Sequence, residues 1–264
     1  MATKYSDIIK APKDLLNDDY TTSVTLKCKK NAGPVAVTIE TERGSDGALS
    51  SKVGAKFSYA GVSFDKVQLK ANGGQVLETS LKPAPGVKLA FKGNKGADVC
   101  VDYSSGNLFA TGVLDVKEMS KFSGSACFGL ASGIKIGGDM SYNISGKEMS
   151  AFNVGGSYST GPLFASITSA SKMKSFNMYL LYKVNSDLSI ASQTTHSSSK
   201  ALDVVAVGGS YKASFADLKA KVGSDGVVSA CLVKEISPKV TLTASSSVTA
   251  ADFSNFQYGI GIVM

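Results

Sequence analysis

The chain has 264 residues, 43% of them hydrophobic and only 19% charged, with a mean hydropathy of +0.07. No stretch approaches the ~18–20 unbroken apolar residues of a transmembrane helix, so its apolar side chains are dispersed, as strict alternation disperses them. Lys and Arg exceed Asp and Glu by 28 − 21 = 7, but the lysines are spread along the whole chain, not clustered with aromatics as a nucleic-acid surface requires.

The first residues, Met1 to Asp7, contain no apolar core and no cleavage site of a secretory signal, and they are too acidic for a typical organelle-targeting presequence. Synthesis in a cytosol without a cleaved leader is expected. Residues 4–17 are the one helical candidate: Tyr5, Ile8, Ile9, Leu15 and Leu16 recur at helical spacing with Asp7, Lys10, Lys13 and Asp14 between them. Pro12 is expected to kink or interrupt that helix. The chain divides into a helical segment, 1–19, and a strand-forming remainder, 20–264.

After Asp19 the period changes from 3.6 to 2. Val24, Leu26 and Cys28 share one face while Thr25, Lys27 and Lys29 share the other. The pattern repeats in Val35/Val37/Ile39 against Ala36/Thr38/Glu40, and in Val53/Ala55/Phe57/Tyr59 against Lys52/Lys56/Ser58. It continues in Val87/Leu89/Phe91 against Lys88/Ala90/Lys92, in Phe176/Met178/Leu180/Tyr182 against Asn177/Lys183, and in Val240/Leu242/Ala244 against Lys239/Thr241/Thr243. Turn signals such as Asn72-Gly-Gly74, Asn94-Lys-Gly96 and Ser224-Asp-Gly226 separate these segments. The spacing predicts roughly nineteen strands of ~8–12 residues, a length suited to a tilted strand crossing a hydrocarbon layer.

A soluble β-sandwich also alternates, but it carries longer loops and larger aromatics. Short connections, an apolar face and a Lys/Thr/Ser/Asn face predict an all-β, closed barrel in lipid, with the polar face lining a water-filled lumen. Lys27, Lys29, Lys52, Lys56, Lys88, Lys92, Lys219, Lys221 and Lys239 are then candidate lumenal cations, which raise the local concentration of anions without stripping their water. In Phe64-Asp65-Lys66-Val67-Gln68-Leu69-Lys70, strict alternation turns Asp65 outward with Val67 and Leu69 into lipid, where an ionised carboxylate is costly; a register shift would turn it inward. Cys28, Cys100, Cys127 and Cys231 form no CxxC pair and His196 is the single histidine, which predicts free thiols, no metal site and no cofactor. No nucleophile–base pairing is evident, so an enzyme is not expected.

Both termini resemble mitochondrial porins, the voltage-dependent anion channels, especially their plant members. Tyr5-Ser-Asp7-Ile-Ile-Lys10-Ala-Pro-Lys13-Asp14-Leu15-Leu16, closing at Tyr20, is similar to their N-terminal helical segment. Gln257, Gly259, Ile262 and Met264 fit their C-terminal signal for barrel insertion, polar-x-Gly-x-x-hydrophobic-x-hydrophobic, and Pro85-Gly-Val-Lys-Leu89 resembles a Gly-Leu-Lys motif. The resemblance implies a barrel of nineteen strands, the number known for this mitochondrial channel, with the amphipathic helix inside the lumen instead of on the membrane surface. It implies that Lys10 and Lys13 match basic positions associated with nucleotide passage, although Asp18 stands where the family often has another Lys. It further implies that Asp65 is the counterpart of a membrane-facing Glu of animal members linked to kinase docking and gating.

The resulting expectation is a voltage-gated, weakly anion-selective pore of the mitochondrial outer membrane, passing ATP, ADP, phosphate and other small anions. Its partners would be membrane lipids, these permeants, the outer-membrane assembly machinery and, in a homo-oligomer, further copies of itself, with no nucleic acid. The alternative is the pore subunit of the outer-membrane protein translocase, which shares the barrel and the terminal signal.

Overall fold

In a computed structural model of the chain, which describes residues 3–197 and 204–264, the change of period becomes a change from helix to sheet. Tyr5–Ile9 forms a 3-10 turn and Lys10–Asn17 an α-helix, α1. As expected, the 4–17 segment is interrupted near Pro12, although Pro12 does not break α1 itself. It lies in the first helical turn, where a missing N–H costs no intrahelical bond; the irregularity sits upstream, at Ile9 (φ −106°, ψ 6°).

The strands are β1 (Val24–Ala32), β2 (Val35–Arg43), β3 (Leu49–Tyr59), β4 (Val62–Lys70), β5 (Gln75–Ala84), β6 (Val87–Gly93) and β7 (Ala97–Ser105). There follow β8 (Leu108–Asp115), β9 (Lys121–Gly129), β10 (Ile134–Asn143), β11 (Glu148–Thr160), β12 (Leu163–Ala170) and β13 (Ser175–Lys183). The last are β14 (Leu188–Ser197), β15 (Val204–Lys212), β16 (Asp217–Gly223), β17 (Val227–Ser237), β18 (Val240–Thr249) and β19 (Asp252–Val263). Sequential neighbours pair antiparallel throughout, and β1 closes on β19 in parallel, from Val24 opposite Ile260 to Lys27 opposite Val263. An odd number of alternating strands forces one parallel seam. The C-terminus extends it: Met264 N–H donates to the Lys27 carbonyl (2.8 Å) and Lys29 N–H to the Met264 carbonyl (2.6 Å).

The two faces of the sheet differ as the alternation predicts. Leu26, Ile39, Leu69 and Leu180 are 45–59% exposed on the outer face, part of an apolar band far larger than a water-soluble surface tolerates. Such a band, on a barrel whose strands all find neighbours, belongs in lipid. The inner face carries Lys, Ser, Thr and Gly, and its few buried apolar residues lie where the N-terminal segment rests on it. Leu15 and Leu16 pack with Leu181 of β13 and Ala191 of β14, with Phe164 of β12 against them, and Ile8 and Pro12 are buried on the same face. Burying such a side chain is worth ~1.5–3 kcal/mol, enough to hold a short helix that would be marginal alone.

Two glycines admit the segment. A Cβ on Gly208 would lie 2.9 Å from Leu16 Cδ2, and one on Gly137 would lie 2.9 Å from Tyr5 Cδ2. At ~4.8 Å per strand a nineteen-strand barrel is at least about 29 Å across. One helix of ~10 Å diameter laid against its wall leaves an aqueous passage on the order of 15 Å.

Candidate pore lining

The N-terminal segment crosses the inner wall from β7 to β18 and is fastened at both ends. At its start Lys4 Nζ lies 2.9 Å from the Asp102 carboxylate of β7, which also accepts the Thr111 hydroxyl at 2.7 Å. At its end Lys219 Nζ of β16 lies 2.6 Å from Asp19, and Lys221 stands 4.6 Å over the Tyr20 ring. The Ser245 hydroxyl of β18 donates to the Thr21 carbonyl. Lys10, Lys13 and Asn17 lie on the opposite face of α1, where Lys10 pairs with Asp14 at 2.8 Å. That hydrogen bond and charge raise the Lys10 pKa above its ordinary value.

Tyr5 and Tyr20 are the rings at the two fastenings. Their hydroxyls are buried without a hydrogen-bond partner among the described residues. Burial first, then the nearby Asp139 and Cys127, pushes the Tyr5 phenol up to about 12; burial, then Cys231 and Asp19, pushes the Tyr20 phenol up as well. Cys100, Cys127 and Cys231 are buried on the inner face and Cys28 faces out with Ile39; all four are free thiols.

The wall of β1 to β6, six of the nineteen strands, is bare and rich in lysine. Register places Lys27, Glu40, Lys52 and Lys70 in one row across β1–β4. Glu40 sits between two of them, 3.2 Å from Lys27 Nζ and 2.6 Å from Lys52 Nζ. Lys29, Lys56, Lys66 and Lys92 also face the lumen and have no carboxylate within ion-pair distance among the described residues. A recess of about 420 Å³ lies among Lys27, Lys29, Lys52, Lys56 and Lys66. Glu78 stands opposite Lys66 and Lys92 in register, beyond ion-pair distance, but lysines outnumber carboxylates on this wall, and a surplus of fixed cations concentrates anions near it.

Three expectations change. Asp65 does not face lipid: its carboxylate accepts the Ser80 hydroxyl at 2.5 Å and lies 3.4 Å from Lys88 Nζ, both on the inner face. The cause is a bulge in β4. Pairing with β5 steps from Phe64–Thr79 to Lys66–Glu78, so Asp65 and Lys66 both turn inward while Phe64 stacks on Phe57 outside, 4.5 Å between centroids. Lys239 is not on a strand; it occupies the turn between β17 and β18. Lys219 and Lys221 do line the inner wall, but they are committed to Asp19 and Tyr20. Lys88 is engaged by Asp65, and of the predicted strand cations only Lys29, Lys56 and Lys92 stand unpaired among the described residues.

Glu40, Lys66 and the Lys4–Asp102 pair join the predicted set. Glu40 and Lys66 are legible in the sequence as inward residues, but only the register shows what stands opposite them. At the C-terminus, Gln257 and Gly259 face inward and Ile262 outward, with Met264 completing the seam. Gly259 has a packing reason as well: a Cβ there would run into the Thr21 carbonyl.

A family model described as eukaryotic porin matches residues 2–261. The chain is 24% identical to mitochondrial outer membrane protein porin 2 of Oryza sativa subsp. japonica, covering 98% of this chain and 95% of that protein. It is 27% identical to a mitochondrial outer membrane porin of Triticum aestivum (98% and 97%) and 24% identical to a mitochondrial outer membrane protein porin of Candida albicans (97% and 96%). Among solved structures, a triple mutant of Rhodopseudomonas blastica porin shares the barrel at a TM-score of 0.51 and 11% identity, over 91% of this chain and 95% of that one.

Proposed function

This chain belongs to the eukaryotic porin family, and on that ground we propose that it is a weakly anion-selective, voltage-gated pore for passive exchange of ions and small metabolites across the mitochondrial outer membrane. The family supports passage of metabolites and ions. The relatives' names supply the membrane. Selectivity rests on one observation: the bare wall of β1–β6, where Lys29, Lys56, Lys66 and Lys92 stand without carboxylate partners among the described residues.

In a passage on the order of 15 Å, solutes keep their hydration shells, so the wall acts by field and not by coordination. Phosphate-bearing metabolites such as ATP and ADP would be enriched along the lysine side, with Lys10 and Lys13 facing them from α1. Voltage dependence follows from charges held within the membrane field, those of the N-terminal segment among them. The C-terminal residues Gln257, Gly259, Ile262 and Met264 are proposed as the contact with the assembly machinery.

Reconstitution in planar bilayers under a KCl gradient tests the reading. A reversal potential of the sign for chloride preference, together with stepwise closure at higher voltage of either sign, is expected. A reversal potential of zero would remove the selective reading and leave the pore.

A further inference from the structure

β1 begins at Val24, opposite Ile260, whereas β19 begins at Asp252. Before Val24 the chain turns into the lumen, where Thr21 passes over Gly259. The first half of β19 is therefore paired with β18 on one side and with no strand on the other. Ile260 N–H donates toward the seam, to the Ser23 carbonyl at 3.0 Å. By the two-residue period of a strand, the N–H and C=O groups of Tyr258 and Phe256 face the same way. They have no hydrogen-bond partner among the described residues. An unpaired strand edge is costly beside a membrane and calls for something to satisfy it.

The resulting gap is a cleft of about 370 Å³ between the loop that follows β2 and the edge of β19, lined by Val24, Arg43, Gly44, Phe256 and Tyr258. Arg43 is the only arginine in the sequence. It stands in register between Val24 and Leu49, on the outer face, and has no carboxylate within ion-pair distance among the described residues. Asp46, in the same loop, accepts the Ala48 N–H at 3.0 Å and does not line the cleft. Phe256 and Tyr258 are 58% and 62% exposed beside it, ring centroids 6.5 Å apart, the kind of aromatic pair that anchors a barrel at headgroup level.

We propose that this cleft binds the phosphate of an anionic phospholipid. The guanidinium presents a fork that grips two phosphate oxygens, a geometry that lysine cannot reproduce. The free backbone N–H groups of β19 supply further donors, and the acyl chains run along the outer face beside Phe256 and Ile260. Charge favours lipid over a second copy of the chain, because a two-fold contact through this cleft would bring Arg43 against its own counterpart.

The test uses the full-length protein in detergent micelles with equimolar phosphatidylglycerol and phosphatidylcholine, followed by native mass spectrometry. The wild type should retain phosphatidylglycerol preferentially. Arg43→Ala should lower that retention about tenfold, the equivalent of losing one charge-assisted contact, with Arg43→Lys in between and Lys66→Ala, inside the lumen, like wild type. Unchanged conductance of Arg43→Ala in bilayers would show that the barrel still closes; if that variant does not fold, the Arg43→Lys comparison decides. Equal retention by wild type and Arg43 variants would overturn the proposal. So would displacement of the lipid by millimolar inorganic phosphate, or an Arg43-dependent dimer that forms as lipid is removed.

Discussion

The Asp65 carboxylate and the Lys88 ammonium face each other inside the barrel at 3.4 Å, although strict alternation turns Asp65 toward lipid. The bulge in β4 thereby converts a costly lipid-exposed charge into a lumenal one that neutralises part of the lysine wall. Asp65→Asn should accordingly raise anion preference. The chloride-to-potassium permeability ratio should change roughly twofold, because one charge in a wide, salt-screened lumen is felt only within a Debye length. Reversal potentials under a KCl gradient read this directly, and a carboxylate facing lipid would leave them unmoved.

The unpaired lysines of the bare wall should act in the opposite sense. Lys29→Glu combined with Lys56→Glu should move the pore toward cation preference. Glu40→Gln should strengthen anion preference by releasing Lys27 and Lys52 from their shared carboxylate. The same reversal-potential measurement ranks these variants.

Gly259 and Gly261 offer a matched pair within one strand. Gly259→Ala drives a Cβ into the Thr21 carbonyl, whereas at Gly261 the nearest atom, Thr243 Cβ, is 3.6 Å away. Protein refolded in detergent should lose roughly 1–3 kcal/mol in the first case, the usual cost of overpacking, and little in the second. Chemical denaturation in micelles separates this packing effect from any role in membrane insertion.

Leu16 is 1% exposed between α1 and the wall. Leu16→Ala should weaken docking of the segment by roughly 2–5 kcal/mol. A spin label at Lys13 should then report increased mobility, with the sheet signal in circular dichroism unchanged.

Tyr5→Phe removes a buried hydroxyl that has no partner among the described residues, so stability should hold or rise by up to ~1–3 kcal/mol. The Tyr5 pKa is raised from 10.0 to about 12. Its contribution to docking is therefore complete below the ordinary phenol value, and it is lost as pH rises toward the raised one and the phenol ionises. Alkaline titration of the wild type should loosen the segment in that window, and Tyr5→Phe should shrink the effect.

Legible in the residues alone are which side of each strand is apolar, roughly how many strands there are, that a helix precedes them, and that the two ends resemble a porin's. These are local properties: a period of two in Val24–Lys29 or Val87–Lys92 is set by each segment's own residues and needs no knowledge of its neighbours. The tertiary structure decided everything that depends on who stands beside whom. A single extra residue in β4 inverted the parity at Asp65, and the turn after β17 took Lys239 off the wall. Lys219 found Asp19 across 200 residues of chain, and Glu40 fell between Lys27 and Lys52. The late start of β1 left the edge of β19 open beside Arg43. Pairing energies between strands, not the preferences within them, fix register, bulges and the place of closure.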